Sequence, residues 1–134
     1  MQAASLLGRN VLVEGKSLQL SQGQGSFGAN FAKAVDSADL TIKDSAGKTV
    51  RTVALGAQPA GLQNYTWDGA TDGGQMAGDG AYTFDMQASQ NAQPVTARTL
   101  SSGLVQSIAM TASGLTLNLA GIGNVVFSQL QQVR

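Results

Sequence analysis

Gly80-Ala81-Tyr82-Thr83-Phe84-Asp85-Met86-Gln87-Ala88 decides the fold class. Tyr82, Phe84, Met86 and Ala88 fall on every second position, with Thr83, Asp85 and Gln87 between them. Side chains alternate faces along a strand, so this pattern predicts a half-buried β-strand. The same grammar extends upstream. Tyr65 and Trp67 alternate across Thr66, and Asp68-Gly69 ends that strand. A Gly- and Asp-rich connection then runs to Asp79-Gly80. Earlier still, Leu40 and Ile42 alternate with polar neighbours, and Val50, Val53 and Leu55 form a returning strand. Asp44-Ser45-Ala46-Gly47 between them is a turn: Asp accepts from the backbone ahead of it and Gly supplies positive φ. Pro59-Ala60-Gly61 is another turn. Short strands punctuated in this way predict a β-sandwich of immunoglobulin or fibronectin type.

Both chain ends read differently from this middle. Val11, Leu12 and Val13 precede a turn at Glu14-Gly15-Lys16, and Leu18 and Leu20 follow it, which predicts a hairpin. Gly23, Gly25 and Gly28 mark a connection. In the tail, Val105, Ile108 and Met110 precede a turn at Ser113-Gly114, and Leu115, Leu117 and Leu119 alternate strictly beyond it. Gly121 and Gly123 turn the chain into Val125-Val126-Phe127, and Leu130 and Val133 close it. These short strands suit a small barrel better than a sandwich. No helix is expected; Ala4-Ser5-Leu6-Leu7 amounts to one turn at most. Charge follows the same division. Between Phe27 and Gln93 four basic residues face seven acidic ones, while the remainder has four basic against one acidic.

Composition excludes several function classes. The 134 residues contain no His and no Cys. Histidine is the usual general base near neutral pH, so Ser-His-Asp and Cys-His arrangements are ruled out. Zinc, iron–sulfur and haem sites also lose their ordinary ligands. We therefore expect no enzyme, no metal and no cofactor. Charged residues make up only 12% of the chain and the formal net charge is zero. No basic patch is dense enough for counterion release, so no nucleic-acid partner is expected. No apolar run approaches the ~20 residues of a membrane span, so no membrane association is expected.

Trp67-Asp68-Gly69-Ala70-Thr71-Asp72-Gly73-Gly74, with Asp79-Gly80-Ala81-Tyr82 after it, is the most conspicuous segment. Asp68, Asp72 and Asp79 are candidate Ca²⁺ ligands or acid/base carboxylates by residue type. Their spacing is not that of an EF-hand, and Asp-Gly pairs are the chemistry of hairpins and bulges. The turn reading is preferred, and Trp67, Asp68, Gly69, Gly74, Gly80 and Tyr82 are singled out as a structural motif with no catalytic, cofactor or metal role. Trp67, the only tryptophan, is expected to fill the sandwich core; a sugar-stacking platform is the alternative. Gly23-Gln24-Gly25-Ser26-Phe27-Gly28 contains GxGxxG without the flanking strand and helix of a dinucleotide site. Asn64-Tyr65-Thr66 is a glycosylation sequon by form alone.

Leu40-Thr41-Ile42-Lys43-Asp44-Ser45-Ala46-Gly47-Lys48-Thr49-Val50-Arg51-Thr52, then Gly61, Trp67-Asp68-Gly69, Asp72-Gly73-Gly74 and Gly80-Ala81-Tyr82-Thr83-Phe84, form a recognisable series. With the opening Ala4-Ser5-Leu6-Leu7-Gly8-Arg9-Asn10-Val11-Leu12-Val13 and the tail from Val105 to Val126, the chain resembles the bacterial flagellar hook-capping family over nearly its whole length. The resemblance implies an all-β architecture with an insertion. A small Tudor-like barrel is built from residues 1–25 and 95–134, and a fibronectin III- or Ig-like sandwich of residues 26–94 lies between. It implies a scaffold at the tip of the growing hook, exported through the flagellar apparatus, that guides hook subunits into place. It also implies self-association into a cap, a pentamer in the family. Family members carry a longer polar N-terminal region, whereas only Met1-Gln2-Ala3 precedes the matching segment here, so a folded core lacking that region is expected. An extracellular Ig-like carbohydrate-binding or adhesive module is the alternative reading. Interface residues are not assigned by the sequence.

Overall fold

The computed structural model describes residues 6–133, and these form twelve strands. They are β1 (Asn10–Glu14), β2 (Ser17–Leu20), β3 (Gly25–Phe31), β4 (Ser37–Lys43), β5 (Thr49–Ala54) and β6 (Gly61–Trp67). After them come β7 (Gly80–Gln90), β8 (Gln93–Val95), β9 (Ala97–Thr111), β10 (Gly114–Leu119), β11 (Gly123–Val126) and β12 (Leu130–Val133). The proposed Ala4-Ser5-Leu6-Leu7 turn falls partly outside the described residues.

Two cores organise these strands. In the sandwich, one sheet runs β2-β7-β4-β5, with β8 paired to the end of β7. The facing sheet is β6-β3 and the first third of β9, joined by the Phe27↔Ser101 to Phe31↔Ala97 pairs. Between them Phe27, Phe31, Leu40, Ile42, Trp67 and Phe84 are buried. The second core is smaller. The strands β11-β10-β9-β1-β12 curl into a half-barrel around Val11, Val13, Val105, Leu117 and Leu119. The strict alternation of Leu115, Leu117 and Leu119 is what puts the last two into this core.

The fifteen residues of β9 belong to both cores. One edge pairs with β3 over residues 97–101 and then with β10 over residues 105–111. The other edge pairs with β1 over residues 100–104. Sequence reading places a strand only from Val105 onward. The first half of β9 escapes period-two logic because Thr99, Leu100 and Ser101 are all buried, on both faces of the sheet.

The expected β1–β2 hairpin does not form. β1 pairs with β9 and β12, whereas β2 pairs with β7. The turn residues are instead stitched to β9. The Gly15 N–H donates to the Thr99 carbonyl at 2.9 Å, and the Ser17 N–H donates to the buried Ser101 hydroxyl at 2.9 Å. A Cβ on Gly15 would stand 3.0 Å from that hydroxyl oxygen, so the absence of a side chain permits the approach. The Lys16 carbonyl then accepts the Phe84 N–H at 2.9 Å, which delivers the chain to the other sheet. Leu18 and Leu20 consequently pack in the sandwich core, and residues 97–101 extend its second sheet. The bounds that the resemblance implies, residues 1–25 and 95–134, put both segments in the barrel, whereas their packing and pairing lie in the sandwich.

The tail differs in one further detail. The strand expected through Phe127 stops at Val126, and Phe127–Gln129 form a single 3-10 turn. The Gln129 side-chain oxygen accepts the Val126 N–H at 3.2 Å, which closes that turn. By contrast, the Asp44 turn forms as read: its carboxylate accepts the Ala46 and Lys48 N–H groups at 2.9 and 3.0 Å, and Gly47 has φ +85°.

The β7–β8 hairpin carries a local conflict. Gln90 pairs with Gln93, and the two residues between, Asn91 and Ala92, both have positive φ, 51° and 66°. This is the type I′ geometry that favours Asn-Gly. Asn91 suits its place, and its N–H donates to the Asp36 carboxylate at 3.0 Å. Ala92 carries a Cβ where left-handed backbone penalises one. Replacing Ala92 with Gly should raise stability by about 0.5–1 kcal/mol, net of the added unfolded-state freedom. Urea unfolding should show a higher midpoint with an unchanged slope; an unchanged or lower midpoint would contradict the assignment.

Candidate functional site

The Trp67–Tyr82 connection folds as a brace across three elements. At its start the Trp67 ring enters the sandwich core, with 4% of its surface exposed. Its Nε1–H donates to the Ala70 carbonyl at 3.0 Å, so the one polar atom of the ring is satisfied by the loop it introduces. Tyr82 meets Trp67 edge-on, with centroids 5.1 Å apart and planes at 79°. Its hydroxyl donates to the Gly78 carbonyl at 2.6 Å. Both ends of the loop are thus pinned by aromatic side chains from β6 and β7.

The loop between them is ordered by short-range bonds. The Asp68 carboxylate accepts the Ala70 N–H at 3.0 Å, an Asx turn. Gly69, at φ +83°, accepts the Ala77 N–H at 2.7 Å, and Leu20 lies 3.4 Å from where its Cβ would be. Gly74, at φ +84°, closes the tip, where its N–H donates to the Thr71 carbonyl. Gly80 begins β7 at φ +147°.

The three aspartates diverge. Asp68 serves its own loop. Asp72 reaches the outer edge of β5: its N–H donates to the Val50 carbonyl at 2.9 Å, and its carboxylate accepts the Thr52 N–H at 3.1 Å and the Thr52 hydroxyl at 2.8 Å. The Arg51 guanidinium lies 3.5 Å from the same carboxylate. Asp79 turns the other way and accepts the Gln22 and Gly23 N–H groups at 2.8 and 3.2 Å. This holds the β2–β3 turn, where Gln22 has a positive φ of 54°. Among the described residues no group of three His, Cys, Asp or Glu side chains is placed to hold a metal. The chemistry of this segment is therefore hydrogen-bond acceptance for the backbone of neighbouring elements. GxGxxG between Gly23 and Gly28 enters β3 directly and opens no helix.

Electrostatics follow the same contacts. The Thr52 hydroxyl, then its N–H and the nearby Arg51, hold the Asp72 carboxyl below its ordinary value. The Lys16 ammonium, bonded at 2.9 Å, together with the Met86 N–H, does the same for Asp85. Burial pushes the Tyr65 phenol up to about 12; its hydroxyl donates to Gln58 at 2.7 Å. Among the described residues no helix is long and apolar enough to cross a membrane.

The brace assigned to Asp72 needs its ionised form. A carboxyl whose folded pKa is depressed contributes stability above its unfolded pKa, and that contribution is lost as pH falls through the folded pKa. Stability should be flat near neutral pH and decline once pH drops below the ordinary aspartate value of 3.8. Asp72→Asn should be less stable at neutral pH, with a shallower acid decline. Unfolding midpoints across a pH series test this; parallel profiles for the two proteins would refute it.

Comparison with known proteins agrees with this architecture. The family model of the FlgD Ig-like domain matches residues 15–92. The basal-body rod modification protein FlgD of Escherichia coli is 31% identical over 141 aligned residues, which cover 99% of this chain and 61% of that protein. Its counterpart in Salmonella typhimurium is 29% identical with the same coverage. The chain thus spans about 61% of the length of these curated relatives. Among solved structures, FlgD of P. aeruginosa superposes with a TM-score of 0.81 at 28% identity, over 96% of this chain and 98% of that one. FlgD of Xanthomonas campestris, a structure described in connection with hook capping essential for flagellar assembly, gives 0.81 at 26% identity, over 99% and 97%. A family match over more than half the chain, and relatives aligned over nearly all of it, lead to one conclusion: the chain belongs to the FlgD family of flagellar basal-body rod modification and hook-capping proteins.

Proposed function

We propose that this chain is the folded part of a non-enzymatic scaffold that sits at the tip of the growing flagellar hook and guides hook subunits into place. The observation that carries the reading is likeness over the whole chain. Both halves, sandwich and half-barrel, superpose on the Xanthomonas FlgD described for hook capping. In this reading the protein is exported to the hook tip, associates with further copies of itself to form a cap, a pentamer as the family implies, and is displaced when the hook is complete. Its work is steric and interfacial. A chain with 12% charged residues and no net charge offers amides and hydroxyls, which exchange partners with small desolvation cost. Deleting the gene in its own bacterium should abolish hooks in electron micrographs of flagellar basal bodies. Wild-type hooks in that strain would reject the proposal.

The carbohydrate-binding alternative depends on an accessible Trp67, and the observed burial and Nε1 hydrogen bond argue against it. The native protein should emit blue-shifted tryptophan fluorescence that sugars and Ca²⁺ leave unchanged. A red-shifted emission that responds to either would revive that alternative.

A further inference from the structure

The outer face of the β3–β9 ladder holds an exposed arginine with nothing bound to it. Arg98 pairs with Asn30 across the two strands. Ala29 and Phe31, on either side of Asn30, are buried in the sandwich core, so Asn30 and Arg98 face outward. With Ala32 and Thr96 they line a groove of about 360 Å³. Among the described residues neither the Arg98 guanidinium nor the Asn30 carboxamide has a hydrogen-bond or ion-pair partner. Lys33, exposed next to Ala32, adds a second cation without an acid bound to it. The groove is thus concave and electropositive, and its guanidinium offers the planar fork of donors that matches a carboxylate.

The chain carries its own complement to this groove. Of its eight acidic residues, Asp36, Asp44, Asp68, Asp72, Asp79 and Asp85 already accept hydrogen bonds. Two remain. Glu14 lines a concavity of the half-barrel with Val13, Ile122 and Val125, and one concavity does not enter another. Asp39 stands in the middle of β4, exposed and without a partner among the described residues. Its neighbours Ala38 and Leu40 are buried in the core, so Asp39 projects from the outer face of the other sheet. The residues beside it on β7 and β5, Gln87 and Ala54, are exposed and neutral. Asp39 and Arg98 therefore lie on opposite outer faces of one sandwich. They cannot meet within a chain, and a single second copy cannot engage both faces at once.

We propose that the Arg98 groove receives the Asp39 carboxylate of a second copy of this chain, which joins copies head to tail, the β4 face of one against the β3–β9 face of the next. One exposed ion pair contributes little affinity. Its part is to set which faces meet and in what orientation. Such a contact is heterologous, so it repeats from copy to copy and closes into a ring when the rotation allows. This inference rests on the self-association in the scaffold reading and names the surfaces that carry it.

Sedimentation velocity of the chain at low ionic strength, where exposed charges are least screened, tests it. The wild-type chain should associate beyond a dimer as its concentration rises, and added salt should reverse this. Arg98→Glu and Asp39→Lys should each weaken association at least about tenfold, because each sets like charges against one another. Mixed in equal amounts, the two variants should regain association, since every contact between unlike variants then joins opposite charges. Glu14→Lys should associate like the wild type. Melting curves identify a variant that fails to fold, and the neutral pair Asp39→Asn and Arg98→Gln then replaces it, again with weakened association expected. A monomeric wild-type chain, full association in Asp39→Lys or Arg98→Glu, or no recovery on mixing would overturn the proposal. So would loss of association in Glu14→Lys alone, which would put a different acid in the groove. A monomeric chain alongside a hookless deletion strain rejects this contact and leaves the scaffold reading standing; a deletion strain with normal hooks rejects the scaffold reading whatever the sedimentation shows.

Discussion

Strand β9 cannot be removed from either half of the molecule. Its first residues complete the sheet that faces β2-β7-β4-β5, and its last residues form the wall on which β10 and β11 are laid. A single backbone therefore imposes its twist and register on both cores. The price is polar burial at the joint, where Thr99 and Ser101 are 7% and 1% exposed. Ser101 meets that cost by accepting the Ser17 N–H, and the Thr99 carbonyl accepts the Gly15 N–H. The crossover from half-barrel to sandwich is thereby fixed by the strand it crosses.

Packing at this joint also explains two residues that look ordinary in sequence. Leu12 points away from the half-barrel core formed by Val11 and Val13, yet it is fully buried. It lies over Gly28 of β3, where a Cβ would stand 3.3 Å from a Leu12 methyl and 2.9 Å from the Gln63 carbonyl oxygen. Gly28 is thus space for Leu12 and not a phosphate-binding glycine. Gly103, further along β9, makes similar room for Leu119 and Ile122 in the half-barrel. Close approach of neighbouring side chains, with one carbonyl beside Gly28, accounts for these two glycines inside strands better than turn formation does.

What the sequence made legible depended on how local its cause was. The strand of Tyr82, Phe84 and Met86 and the Asp44 turn follow from residues a few places apart, and they form as read. The brace motif was legible as turn chemistry, and Gly69 and Gly74 do adopt the positive φ that such turns require. Its partners were not legible. Asp72 and Thr52 are twenty residues apart and Asp79 and Gln22 fifty-seven, and no periodicity links them. The β1–β2 hairpin was misread for a related reason: a turn signal says that the chain bends, and leaves open which strands then pair. The inserted architecture came from family resemblance, since the buried hydroxyls of β9 hide the element that joins the two halves.

The continuity of β9 has a mechanical consequence. Its hydrogen bonds to β3, β1 and β10 lie across the strand axis. A load along that axis would shear these ladders together and would not open them one bond at a time. Among the described residues β9 passes from one core to the other without an irregular segment, so displacement of one half is transmitted to the other through strand backbone.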